Sequence, residues 1–251
     1  MLVVLLTALG VGGATMVGAL IGFLFKKIPH KFNDIVLGLA AGVMLAASVF
    51  GLIAPAMEKG GFINTVLVIS GIFAGALFLS IMDKFIPHLH SVAGVGKVDS
   101  INTDKLNKVL LFVFAIAIHN FPEGIATGVS FGTGNISDAL TVAGGIALQN
   151  IPEGMVIIAP MLSAGVSKTR TLIIALATGF VEVIGTFVGY FTIAISSVAL
   201  PFFLAFAGGT MIYVISDEMI PETHSHGYEK GATYSLIAGF CIMLILDAIM
   251  G

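Results

Sequence analysis

The sequence predicts an all-α, polytopic membrane protein. Of its 251 residues 57% are hydrophobic and only 10% are charged, against about 25% charged in soluble domains. The mean hydropathy is +1.08. A soluble globule of this size could not cover itself with so little polar surface. The 31 glycines suit closely packed membrane helices. Eleven Lys and Arg with a net charge of −3 leave no basic patch for phosphates, which excludes a nucleic-acid partner. The composition also excludes a cytosolic enzyme and a disordered regulator. The single cysteine, Cys241, excludes an intrachain disulfide framework and a thiolate cluster.

A membrane helix needs roughly 20 apolar residues, and eight segments qualify. The first three, Leu2–Phe25, Ile35–Met57 and Phe62–Met82, are uncharged. The fourth, Val109–Phe131, is interrupted by His119 and Glu123. The fifth, Ala139–Ala164, contains Glu153, and the sixth, Thr171–Ile195, contains Glu182. The seventh, Val198–Ser216, ends on Asp217 and Glu218. The eighth is Ala232–Met250, with Asp247 near its end. Together they read as one transmembrane domain over residues 1–251.

Loop charge sets the expected orientation. Lys26, Lys27, Lys31, Lys84, Lys97, Lys105, Lys108, Lys168, Arg170 and Lys230 fall in the first, third, fifth and seventh loops, and only Lys59 falls on the other side. The positive-inside rule puts those four loops in the cytoplasm and both termini outside, in a multi-pass protein of the cell membrane. The first span has no basic residues before it, so it does not read as a signal peptide. The longest loop, Asp83–Lys108, reads as a cytoplasmic connector carrying His88 and His90; these histidines and those of His224-Ser225-His226 read as solvated loop residues. Gly10, Ala14, Gly18 and Gly22 form a four-residue packing stripe, repeated in brief by Gly38 with Gly42 and Gly71 with Gly75.

Three carboxylates need an explanation. Glu123, Glu153 and Glu182 sit near the middle of their spans. Ionised and unpaired they would cost on the order of 8–10 kcal/mol on insertion scales, and no Lys or Arg lies at that depth. Protons or a bound cation must compensate. The neighbours favour a cation: the fourth segment reads His119-Asn120-Phe121-Pro122-Glu123-Gly124, and the fifth Gln149-Asn150-Ile151-Pro152-Glu153-Gly154. At 100° per residue, His119, Asn120 and Glu123 share one helix face, and so do Gln149, Asn150 and Glu153. Pro122 and Pro152 cannot donate to the carbonyls of Ile118 and Leu148, which frees acceptors inside the membrane. Imidazole, carboxylate and amide without thiolate suit Zn²⁺, Fe²⁺, Mn²⁺, Co²⁺, Ni²⁺ or Cd²⁺ better than Cu⁺. Glu182 lies on a small polar face with Thr178, Gly179, Gly185 and Thr186, and is expected to complete the ion site. Asp217, Glu218, Glu222 and His224 around Pro221 are candidates for an exit path, and Met44 and Ser48 on the second span for its lining.

These motifs resemble the ZIP (Zrt-, Irt-like protein) metal transporters. The resemblance covers the whole chain, including the ending Asp217-Glu218-Met219-Ile220-Pro221-Glu222-Thr223-His224, which looks like the bacterial branch. It implies uptake of divalent metal, chiefly zinc, into the cytoplasm, with the metal as substrate and no prosthetic group. It implies a metal position at His119, Glu123, Gln149 and Glu153, and a second at Asn120, Asn150, Glu153 and Glu182. It further implies inverted repeats of the first and last three helices flanking a central pair, alternating access, and often a homodimer in the lipid bilayer. Two departures stand out: many members have His at the position of Gln149, and some relatives have Asp at that of Asn150.

An intramembrane metalloprotease would need His-Glu-x-x-His on a helix, and the chain has no such pattern, so an enzyme is not expected. The competing reading is a proton-coupled carrier of another solute, with Glu123, Glu153 and Glu182 as the relay. It accounts for the carboxylates but not for the doubled Asn-x-Pro-Glu-Gly beside His119.

Overall fold

The computed structural model describes residues 1–25, 29–92, 103–195 and 197–250, and its regular structure is entirely helical. The long helices, in chain order, are α1 (Leu2–Gly22), α2 (His30–Met57), α3 (Phe62–Val92), α4 (Thr103–Ser130), α5 (Ile136–Ser163), α6 (Lys168–Ile195), α7 (Leu200–Thr223) and α8 (Glu229–Met250). Among the described residues, seven of these helices, all but α4, contain a stretch long and apolar enough to cross a membrane. The middle of α4 carries His119, Asn120 and Glu123, and it packs among the other helices. The chain is a multi-pass membrane protein.

Each predicted apolar segment falls on one of these helices, but the helices outrun the apolar stretches. The expected connector 83–108 is shorter than the sequence suggested. Helix α3 continues to Val92 and α4 begins at Thr103, because backbone hydrogen bonding does not stop where hydropathy does. His88 and His90 therefore fall on the end of α3, with side chains outside the described residues. Lys26, Lys27, Gly94, Gly96 and Lys97 also lie outside them.

Two helices are not α-helical throughout. Helix α2 widens into a π-helical stretch at Ala47–Ile53, and α7 does so at Ile215–Met219. A proline follows each: Pro55 and Pro221. A proline ring clashes with the carbonyl four residues earlier, here Gly51 and Asp217, and the wider π turn gives that carbonyl room.

Burial separates an inner from an outer set. The apolar stretches of α2 and α5 are 61% and 65% buried, those of α3 and α8 only 22%. The exposed faces are aliphatic and aromatic: Phe62, Ile63 and Phe73 on α3, Ile237, Ile245 and Ile249 on α8. Such faces are stable against lipid, not water. The main core gathers Met44, Leu52, Ile146, Leu204, Met211 and Met243 from the inner helices and their neighbours.

Helices pair mainly as α4 with α6, α1 with α5, α2 with α8 and α3 with α7, and α1 also packs on α6. Close backbone approach drives the pairing. A Cβ at Gly124 would lie 2.8 Å from the amide nitrogen of Thr186 and 2.9 Å from the carbonyl carbon of Glu182, so α4 can seat on α6 only without a side chain there. Gly42 plays the same part for α2 against Leu236 and Phe240 of α8. The stripe read in α1 is used in part: Gly18 and Gly22 meet α5, while Gly10 faces open space.

Candidate metal centre

Helices α4, α5 and α6 bring the sequence-predicted polar residues together. Gln149 Nε2 donates to Glu123 Oε1 at 2.6 Å, which ties α5 to α4. Asn150 Nδ2 donates to Glu182 Oε2 at 2.7 Å and to the Val11 carbonyl at 3.1 Å, which ties α5 to α6 and α1. Asn120, Glu123, Gln149, Asn150 and Glu182 are all at most 1% exposed. The hydroxyls beside Glu182 serve their own helix: Thr186 donates to the Glu182 backbone carbonyl and Thr178 to that of Ala175. The glutamate side chain is thus held by an amide donor and not by a hydroxyl.

This network is only half satisfied. Asn120 Oδ1, Glu123 Oε2, Gln149 Oε1, Asn150 Oδ1 and Glu182 Oε1 are all buried without a hydrogen-bond partner. An unsatisfied buried polar atom costs about 1–3 kcal/mol. Five acceptor oxygens on three adjacent helices form a donor set suited to a divalent cation.

The two remaining predicted ligands face a cavity. Glu153 is half-buried, and together with His119 it lines a volume of about 510 Å³ that extends along Asp217, Glu218, Glu222 and Ser225. His119 Nε2 lies 2.8 Å from Glu218 Oε1, a contact between α4 and the π turn of α7. The π turn sets Asp217 and Glu218 along this path, with Asp217 exposed. Among the described residues, no three His, Cys, Asp or Glu side chains already form a group able to hold a metal ion. The acidic and imidazole groups are engaged elsewhere: His119 with Glu218, Glu123 with Gln149, Glu182 with Asn150.

The other pathway candidates separate. Asp217, Glu218 and Glu222 line the cavity. His224 does not; its Nδ1 lies 2.9 Å from the Ile220 carbonyl and its Nε2 3.2 Å from Thr233 Oγ1, so it fastens the end of α7 to α8. Met44 and Ser48 are fully buried in α2, with the Ser48 hydroxyl donating to the Leu45 carbonyl at 2.8 Å. Neither lines this cavity. Sequence reasoning did not single out His30 and Asp34, which meet His226; their i, i+4 spacing on α2 was the available signal.

Membrane-crossing helices around buried carboxylates and amides, with a cavity lined in part by His119, Glu153, Asp217, Glu218 and Glu222, define a polytopic membrane protein with ionisable groups inside it. A family model described as ZIP Zinc transporter matches residues 98–247. The chain is 40% identical to Zinc transporter GufA of Myxococcus xanthus, over 98% of each chain. It is 38% identical to Zinc transporter ZIPB of Bordetella bronchiseptica, over 95% of this chain and 78% of that one. It is 31% identical to Zinc transporter ZIP11 of Bos taurus, over 95% and 94%. The chain belongs to the ZIP zinc transporter family, a family of transporters and not of enzymes.

Proposed function

We propose that this chain moves divalent transition-metal ions, zinc first among them, across the cell membrane into the cytoplasm. The observation that carries the reading is the set of five unpartnered buried oxygens on α4, α5 and α6, beside cavity-lining His119 and Glu153. At about 1–3 kcal/mol each, leaving them unmet would cost as much as a whole domain's stability of about 5–15 kcal/mol. A cation sharing them removes that cost. His119, Glu123, Gln149 and Glu153 form one position. Asn120, Asn150, Glu153 and Glu182 form the second, with Glu153 bridging. Metal enters by exchanging water for these oxygens and the His119 imidazole. It leaves when Glu218 competes for His119, and Asp217 and Glu222 draw the ion along the cavity. Oxygen and nitrogen ligands release a metal faster than a closed thiolate site does.

The orientation follows the loop charges, with both termini outside and the Asp217–Ser225 end of the cavity facing the cytoplasm. Residues 1–251 act as one eight-span domain with α1–α3 and α6–α8 as inverted repeats around α4 and α5. The pairing supports this. Exchanging α1 with α6, α2 with α7, α3 with α8 and α4 with α5 maps the α1–α5 pair onto α6–α4 and the α2–α8 pair onto α7–α3. The π turns of α2 and α7 exchange as well. Helices α1, α4, α5 and α6 then form the ligand-bearing block that moves against α2, α3, α7 and α8.

The test is Zn²⁺ entry into proteoliposomes holding a zinc-sensitive dye, with native protein and Glu153→Gln. Uptake by the native protein alone supports the reading. Equal uptake by both removes Glu153 from the mechanism. Failure of native protein with Zn²⁺, Fe²⁺, Mn²⁺ and Cd²⁺ in sealed vesicles overturns metal transport in favour of a proton-coupled carrier.

A further inference from the structure

At the far edge of the cavity three side chains of metal-binding type meet, not arranged as they stand to hold an ion, on elements that carry none of the proposed transport ligands. Asp34 sits in the second turn of α2 and is fully buried. A buried carboxylate needs compensation, and Asp34 has it on one oxygen only. Asp34 Oδ1 lies 3.0 Å from Nδ1 of His226, in the connection between α7 and α8, while Oδ2 is buried without a partner. One turn before Asp34, on the same face of α2, the ring of His30 lies against that of His226 with centroids 4.3 Å apart and planes 23° from parallel.

The chemistry of this trio is specific. An ionised carboxylate only accepts hydrogen bonds, so the Nδ1 of His226 is the donor and its Nε2 keeps the lone pair. A histidine whose second nitrogen is oriented by a carboxylate is the usual arrangement behind a protein-bound transition metal. His30 adds another imidazole alongside. Ser225 Oγ donates to the Glu222 carbonyl at 2.8 Å and also lies 3.1 Å from His226 Nδ1 and 3.4 Å from Nε2. The placement is equally specific. Leu37, three residues after Asp34, and Ser225, next to His226, both line the cavity that reaches His119 and Glu153.

We propose that His30, Asp34 and His226 form a further binding site for one divalent transition-metal ion of the Zn²⁺ and Co²⁺ class, at the mouth of this cavity. His30 and His226 supply nitrogen ligands, and Asp34 orients His226 through its Nδ1. The two rings lie face to face and not around a common point, so binding turns one of them, which makes the site open and exchangeable. An ion leaving between Glu222 and Ser225 meets this site first.

The experiment is Co²⁺ titration of the purified full-length protein, read by its visible ligand-field band and by bound equivalents. It is done in the native sequence and in a Glu153→Gln, Glu182→Gln background, so that loss of the intramembrane site is scored separately. In both backgrounds the double substitution His30→Ala, His226→Ala is expected to remove one equivalent, and Asp34→Asn to weaken that equivalent by about tenfold. Unchanged stoichiometry and affinity in both would mean that the trio only clasps the α7–α8 connection to α2, and would overturn the proposal. Unmodified protein gives a readout independent of variant folding. Zn²⁺ is expected to slow diethyl pyrocarbonate labelling of His30 and His226 several-fold by mass spectrometry. Labelling unaffected by Zn²⁺ would also refute the site.

Discussion

Adding one methyl group at Gly124 separates packing from composition. In Gly124→Ala the new Cβ would lie 2.8 Å from Thr186 N and 2.9 Å from the Glu182 carbonyl carbon. The Glu182 carbonyl oxygen is nearer still, and such contacts are comfortable only near 3.5 Å, so α4 and α6 must part by roughly 1 Å or more. Backbone cannot give way as a side-chain tip can, and overpacking of this kind costs about 1–3 kcal/mol. The seam shares the strain. Gly185 and Gly189 of α6 approach α4 just as closely, with hypothetical Cβ contacts of 3.1 Å to Ile125 N and to Val129 N. We therefore expect a loss of about 2–3 kcal/mol. The control is Gly13→Ala, where a Cβ meets nothing within 4 Å. That change gains helix propensity and should be neutral or stabilising by up to about 1 kcal/mol. Both values come from SDS titration of the protein in mixed micelles, followed by circular dichroism. Equal stability of the two variants would refute the claim that backbone contact at Gly124 sets the α4–α6 distance.

Three further outcomes are expected. Asn150→Ala removes the donor to both Glu182 and Val11 and should cost about 1–3 kcal/mol in the same titration; a change below half that range would mean Glu182 finds another partner. Asn120→Ala removes a side chain whose amide atoms have no partner, so the fold should change little while Zn²⁺ affinity by calorimetry falls about tenfold, or 1.4 kcal/mol; unaltered affinity would take Asn120 out of the ligand set. Glu218→Gln removes the charge beside His119 and should slow Zn²⁺ delivery to the vesicle lumen while leaving equilibrium binding within about threefold, or 0.7 kcal/mol; unchanged delivery would remove Glu218 from the exit.

Hydropathy located every helix because lipid-facing residues such as Phe73 and Ile245 must be apolar whatever they pack against. It missed the ends, since Asp83–Val92 and Thr103–Lys108 carry polar residues that continue a helix without favouring lipid. The π turns of α2 and α7 were also illegible: Pro122 and Pro152 sit in unbroken α-helix, while Pro55 and Pro221 follow π turns, and proline alone does not tell the two apart. In the candidate site, the doubled Asn-x-Pro-Glu-Gly carries the residues that pair across helices, Gln149 with Glu123 and Asn150 with Glu182. Pairings across distant helices had no sequence signal. His119 with Glu218, His224 with Thr233 and His226 with Asp34 depend on how α7 and α2 are seated. The glycine that ends each motif seats a neighbouring helix, α6 at Gly124 and α1 at Gly154.

The pairing of α2 with α8 has a consequence for how the chain is made. Synthesis runs from the N-terminus, yet Gly38 and Gly42 of α2 are covered by Ala232 and Leu236 of the final helix. Helix α1 likewise waits for α5 and α6. Helices α1 and α2 therefore remain without their main partners until α5, α6 and α8 have been made. A nascent chain halted before Glu229 exposes the glycine face of α2 to lipid or to other chains. Quality control of this protein turns on the arrival of the 22 residues of α8.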